Sequence, residues 1–147
     1  MTVGSFTSIS LDPPLVGFFV DSGSTTLKQV MTSGVFTVNF LDDRSEALSH
    51  TFSGGPANRF AGIPLVSAPP GAPRLAGASG WLDCVLETRV QIGDHDLVVG
   101  RVVQVDVPAV PRSPLIFFGG AHRSLGAHTP PDSPPGSSLD AVDSPAE

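Results

Sequence analysis

Two β-type runs stand back to back in the middle of this chain. Trp81 to Gln91 alternates in polarity, Leu97 to Val107 is β-branched and apolar, and between them lies Ile92-Gly93-Asp94-His95-Asp96. A Gly-Asp pair between two such runs is a tight-turn signal, because glycine takes the positive φ that a two-residue hairpin loop demands. The pattern predicts a long β-hairpin with one imidazole, His95, held at the rim of a sheet. On the first strand, alternation puts Leu82, Cys84, Leu86 and Val90 on one face and Asp83, Glu87, Arg89 and Gln91 on the other. On the returning strand, Val98, Gly100 and Val102 face opposite to Leu97, Val99, Val103, Val105 and Val107. Both faces near its start are apolar, so one needs a cover. A second subunit is the economical cover, and a homodimer is expected.

Fifteen prolines and sixteen glycines divide the rest into short elements. Leu15 to Val20 is a continuous apolar run, which predicts a strand buried on both faces. A helix follows, capped by Ser24, Thr25 or Thr26, striped by Leu27, Val30 and Met31, and stopped by Gly34. Val35 to Leu41 is a second buried strand. Asp43-Arg44-Ser45-Glu46 has capping-box spacing and opens a short helix through Ala47, Leu48 and Phe52. Asn58 to Gly80 is loop-rich, and a last strand runs from Leu115 to Phe118. Beyond Gly119-Gly120 the pattern decays into a Pro/Ser/Asp-rich stretch that buries too little apolar surface to fold. One domain over 1–125 and a disordered tail over 126–147 are expected. The fold class is mainly β, a β-barrel with small helices.

Charge and cysteine content narrow the function. The net charge is −6, and the tail, with four acidic residues and no Lys or Arg, carries most of it. Eight scattered basic residues make no stripe for nucleic acid, so DNA and RNA are excluded as partners. Cys84 is the lone cysteine and reads as a buried, inert thiol in a reducing compartment. No apolar run approaches a membrane span and no signal-peptide pattern opens the chain, so the expected location is the cytoplasm. Rossmann, P-loop and nucleophile-elbow motifs are missing. His50, His95, His122 and His128 are far apart without metal-ligand spacing, so no metal site is expected.

What remains is a set of hydroxyls and backbone donors beside glycines. Ser5, Thr7, Ser8 and Ser10 precede a rigid Leu11-Asp12-Pro13-Pro14, and Ser24, Thr25 and Thr26 crowd a helix start. A helix N-terminus with hydroxyls is a ready phosphate site, and the same residues equally serve as a plain cap. His95 is likewise open between a solvated turn histidine and a functional one.

The runs Met1 to Leu15, Ser24-Thr25-Thr26, Gly34 to Leu41, Arg59-Phe60-Ala61-Gly62 and Gly71 to Leu75 together resemble the flavin reductase-like family. The likeness continues through Trp81-Leu82-Asp83-Cys84, Gly93-Asp94-His95 and Pro114 to Phe118, and covers residues 1 to 125 in the family's order. The resemblance implies an FMN-binding split barrel, dimeric, binding FMN or FAD with NADH or NADPH as hydride donor. It further implies a reductase component that passes reduced flavin to a partner flavin-dependent monooxygenase. Hydride transfer between the two cofactors needs no protein acid or base, so the protein's task is alignment and charge stabilisation.

By the same resemblance, Ser5, Phe6, Thr7 and Ser8 line the isoalloxazine. Ser24 and Thr26 hold the flavin phosphate with Arg59 as counter-charge. His95 of Gly93-Asp94-His95 positions the hydride donor or neutralises reduced flavin. Asn39 touches ribityl or ring atoms, or is a satisfied polar residue in a packed strand. Arg123 meets a nucleotide phosphate, or is a solvated surface arginine. Family members carry some two dozen further residues before the Met-Thr motif, so the barrel is expected to lack its first strand here. The alternative functions are a non-catalytic split barrel that binds flavin or another ligand, and a dimerisation module without a site.

Overall fold

The structure, a computed structural model, describes residues 1–54, 58–66, 72–107 and 112–125. The expected tail over 126–147 lies outside the described residues. The hairpin organises the fold: β6 (Ala78–Ile92) and β7 (His95–Asp106) are joined by Gly93-Asp94. Gly93 has φ +65° and Asp94 does not have positive φ, which is the type II′ pattern with glycine first. The turn pairs Ile92 with His95 and starts the β6–β7 ladder.

On one side of the hairpin β2 (Pro14–Asp21) pairs with β7, and β1 (Thr7–Leu11) pairs with β2. On the other, β3 (Val35–Leu41) pairs with β6. The result is an antiparallel sheet of order β1-β2-β7-β6-β3, with no closed barrel among the described residues. Two-stranded pairs β4 (Leu65–Val66) with β5 (Arg74–Leu75), and β8 (Ile116–Phe118) with β9 (Ala121–Arg123), complete it. The mainly β class with two small helices agrees with the expectation.

Helix α1 (Thr25–Ser33) has the ends read from sequence. Ser24 Oγ accepts from the Leu27 amide at 3.3 Å, and Gly34 ends it at φ +70°, donating its N–H to Val30 O. Leu27 and Val30 enter the main core with Val16, Phe18, Val20, Phe36, Cys84 and Val98. Met31, read as part of the stripe, is exposed. Within the core the Phe18 and Phe36 rings meet edge-to-face, centroids 5.6 Å apart. Gly100 makes room for them: a Cβ there would lie 2.8 Å from Phe36 Cε1 and 3.0 Å from Cys84 Cβ. Helix α2 (Glu46–Gly54) closes a second cluster of Phe52, Leu75 and Ala78.

Several expectations are corrected. Simple alternation along β6 fails at a bulge, where Leu86 pairs with Gly100 but Thr88 with Val99. The extra residue, Glu87, exchanges the two faces. Arg89 therefore lies opposite Val98 on the core face, and Val90 turns to solvent. Asp83, assigned to a polar face, is buried: Arg74 Nη2 donates to its Oδ2 at 2.6 Å and Thr37 Oγ1 to its Oδ1 at 2.7 Å. β2 is not buried on both faces, because Phe19 is exposed, and β3 is an edge strand in which Phe36 alone is fully buried. Asp43 is not the cap of α2. Ser45 holds that place, accepting the Ser49 amide on its carbonyl at 3.1 Å, while buried Asp42 accepts from the Arg44 amide.

Gly119-Gly120 leads into one more strand, β9, within the expected domain. Both glycines have positive φ, which makes a type I′ turn into β9. The start of β7 needs no second subunit either, since Val98 and Val99 are both buried within the chain. The exposed apolar run lies at its other end, at Val103, Val105 and Val107. No described helix is long and apolar enough to cross a membrane.

Candidate active site

The register of β2 against β7 pairs Asp21 with His95. The Ser22 amide donates to Asp94 O at 3.1 Å, and the Ser24 amide to Asp21 O at 3.0 Å. These bonds tie the hairpin tip to the turn that starts α1, so the imidazole stands beside a helix N-terminus. The first amides of α1, Thr25 and Thr26, have no partner inside the helix and carry its positive dipole end. His95 Nδ1 lies 2.7 Å from Asp94 Oδ1. That carboxylate holds the His95 pKa above its ordinary value, and His95 in turn holds Asp94 low.

A cavity of about 480 Å³ opens here. Ser24, Thr25 and Thr26 form one wall, and Phe19, Val20 and Asp21 of β2 with His95 form the second. Phe52 and Ser53 at the end of α2, Arg59 and the segment Met1 to Gly4 close it. That segment is anchored to α2: the Thr2 amide donates to Phe52 O at 3.1 Å and Thr2 Oγ1 to Ser49 O at 3.0 Å. The volume falls in the range of cofactor sites, about 300–1,000 Å³. Unpaired helix amides, two threonine hydroxyls and the Arg59 guanidinium make one end suited to a phosphate. Phe19 and Phe52 supply apolar wall. The donor set and the space fit a flavin mononucleotide moiety.

Of the residues singled out in the sequence, Ser24, Thr26, Arg59 and His95 line this cavity together. The others lie elsewhere. Ser5 staples its segment to β2, its Oγ donating to Phe19 O at 3.2 Å and accepting the Phe19 amide at 2.9 Å. Phe6 packs edge-to-face on Phe40, and Thr7 and Ser8 pair with Gly17 and Val16 in the β1–β2 ladder. Asn39 is fully engaged with the β5 strand: it accepts the Leu75 amide at 2.7 Å and donates to Pro73 O at 3.2 Å. Gly93 and Asp94 form the exposed turn, and Arg123 is exposed on β9. Sequence reasoning missed Phe19, Asp21, Phe52 and Ser53. The signal for Asp21 was available, since it pairs with His95 once the hairpin and the apolar run are aligned. His50 and His122, distant in sequence, are neighbours in space, with ring centroids 4.9 Å apart.

Residues 1–126 match the family model described as "Flavin reductase like domain", and the chain belongs to that flavin reductase-like family. It is 35% identical over 127 residues to a flavin reductase of Pseudomonas putida, covering 86% of this chain and 74% of that protein. It is 34% identical over 122 residues to HsaB of Mycobacterium tuberculosis, the reductase subunit of a flavin-dependent monooxygenase, covering 82% of this chain and 65% of that one. Among solved structures, flavin reductase HpaC complexed with NADP+ superposes with a TM-score of 0.80 at 31% identity, over 87% of this chain and 81% of HpaC.

Proposed function

We propose that the chain is an NAD(P)H:flavin oxidoreductase, which transfers hydride from NADH or NADPH to FMN or FAD and supplies reduced flavin to a partner flavin-dependent monooxygenase. The observation that carries this reading is the Asp21–His95 pairing, which puts one imidazole and a hydroxylated helix N-terminus in the same cavity. Membership of the family and the names of the relatives support the same chemistry.

Flavin, when bound, supplies the two-electron acceptor. The chain's own work is binding and orientation. The Thr25 and Thr26 amides, the Thr26 hydroxyl and Arg59 hold the phosphate, while the Ser24 hydroxyl keeps the helix end in shape. Ser5 fixes the N-terminal segment on β2, and Phe6, Thr7 and Ser8 stiffen the strand beyond it. Asn39 acts at a distance, by holding the chain at Pro73 and Leu75. His95, kept cationic to higher pH by Asp94, places positive charge at the cavity mouth, where nucleotide phosphates and the charge gained on reduction are both stabilised. Arg123 sits outside the cavity and has no part in this reading.

The exposed run Val103, Val105 and Val107 supports a homodimer, in which a second copy covers that edge of the hairpin. A reducing compartment that holds nicotinamide cofactors, the cytoplasm, is the proposed location. The test mixes the full chain with each of the four pairs of FMN or FAD with NADH or NADPH, and follows loss of the nicotinamide absorbance band. Oxidation with at least one pair is expected, and no oxidation with any of the four overturns the reading.

A further inference from the structure

Away from the cavity, α2 and the β8–β9 hairpin meet at three side chains able to ligate a metal. Glu46 and His50 stand one helical turn apart on α2, and His122 arrives from β9, 76 residues after Glu46. His122 Nδ1 lies 3.2 Å and His50 Nε2 3.5 Å from the same atom, Glu46 Oε1. Donors bonded to one tetrahedral zinc at about 2.0 Å are separated by about 3.3 Å, and these two distances bracket that edge. A ligand atom from each of the three residues lies within 4.8 Å of the other two.

The remaining nitrogen of His122 strengthens the case. Nε2 lies 3.0 Å from Oγ of Ser49, a buried residue of α2. A ring that donates Nε2–H to this hydroxyl turns the Nδ1 lone pair toward the Glu46 carboxylate. In that tautomer Nδ1 and Glu46 Oε1, 3.2 Å apart, present two lone pairs to one cation. Ligating histidines are oriented in this way, by donating their second N–H to an oxygen. The His122 side chain is only 9% exposed and packs on Phe117 with centroids 5.3 Å apart, so it is in place before any ion arrives. Glu46 and His50 are exposed on the helix surface and free to close the last few tenths of an ångström.

We propose that Glu46, His50 and His122 form a site for a borderline divalent transition-metal ion, with zinc as the fitting case, which clamps the β8–β9 hairpin onto α2. Two imidazole nitrogens and one carboxylate oxygen suit Zn²⁺ and do not suit Mg²⁺ or Ca²⁺, which take oxygen ligands. Water completes the coordination. The ion braces the helix whose far end supplies Phe52 and Ser53 to the cavity, and it lies on different residues from those that receive the phosphate.

The test strips the full-length protein with a chelator and titrates it with Zn²⁺ alone by calorimetry, with Co²⁺ as a visible-absorption probe of coordination. One ion per chain is expected, with tetrahedral Co²⁺ bands and a Tm that rises with Zn²⁺ concentration. His50→Ala and Glu46→Gln each change one exposed ligand on α2, and the response of each variant to Zn²⁺ is read against its own metal-free Tm. Each weakens Zn²⁺ binding by roughly tenfold or more and abolishes the Zn²⁺-dependent rise in Tm. Absence of Zn²⁺ binding at 100 times the protein concentration overturns the proposal. Binding of unchanged strength in both variants also overturns it, since the ion then sits elsewhere, for instance at His128 or the carboxylates of 126–147.

Discussion

Arg89 closes a fork on Asp96: its Nε donates to Oδ1 at 2.6 Å and its Nη2 to Oδ2 at 3.1 Å, and the carboxylate has no solvent exposure. This pair sits directly behind the hairpin tip that presents His95. The Arg89 guanidinium holds the Asp96 pKa below its ordinary value. With the folded pKa depressed, the stability it contributes is present above the unfolded value of about 3.9 and is lost as pH falls through the folded one. Arg89→Met strands a buried carboxylate and is expected to lower the Tm clearly at pH 7. The deficit relative to wild type narrows toward pH 4, where the stranded group takes up a proton. Thermal melts of both proteins across that range check this, and a deficit that does not change with pH counts against it.

Gly100 is fitted to the ring of Phe36. In Gly100→Ala the new methyl collides with Phe36 and Cys84, both inside the core. Overpacking of this kind costs about 1–3 kcal/mol. Urea unfolding followed by tryptophan fluorescence of Trp81 is expected to show a lower midpoint with an unchanged slope.

Cys84 is 1% exposed, and burial pushes its thiol up to about 12. The thiolate is the reactive form, so the folded protein is inert to a thiol reagent at pH 8. Full reaction is expected only in denaturant. Rapid labelling of the native protein would contradict the buried position.

His95 and Asp94 set a pH dependence. Because the His95 pKa is raised by Asp94, its positive charge persists below that pKa and is lost as pH rises through it. The kcat/KM for the nicotinamide substrate is expected to fall on the alkaline side with one titrating group. In Asp94→Asn the fall moves to lower pH, and in His95→Ala it disappears while flavin binding persists. A collapse of flavin binding in His95→Ala would make the histidine structural.

Arg59 and the start of α1 line one end of the cavity, and the proposed phosphate contact makes their effect depend on whether the ligand carries a phosphate. Arg59→Gln is expected to weaken FMN by roughly ten- to hundredfold, in line with a charge-assisted hydrogen bond of about 1.5–3 kcal/mol, and to leave riboflavin nearly unchanged. Fluorescence titrations with the two flavins measure the ratio directly.

Local chemistry made part of this legible in advance. Ser24 and Gly34 marked α1 because caps are written in single residues, and Gly93 marked the hairpin because few residues accept its φ. The bulge at Glu87 carries no such mark: nothing in Leu86-Glu87-Thr88 says that one residue will lack a partner, so simple alternation puts Arg89 and Val90 on the wrong faces. Partners distant in sequence were also hidden. Arg74 meets both Asp83 and Asp106, and Asn39 meets Leu75, only after the sheet register is set. The Gly119-Gly120 turn was readable by the rule that found Gly93, but strands of three residues give too short an alternation to show. For the cavity, the polar cap and the turn histidine could be found, whereas Phe19 and Phe52 read simply as core residues.

The two-residue turn at Gly93-Asp94 ends at His95, the residue that β2 pairs with Asp21, and side chains alternate along β7 from there. A slip of one position would bring the carboxylate of Asp96 opposite Asp21 in place of the imidazole of His95, and the charge at the cavity mouth would change sign. The alignment of β7 on β2 thus sets the sign of the charge at the cavity mouth without any change in the residues of the cavity wall.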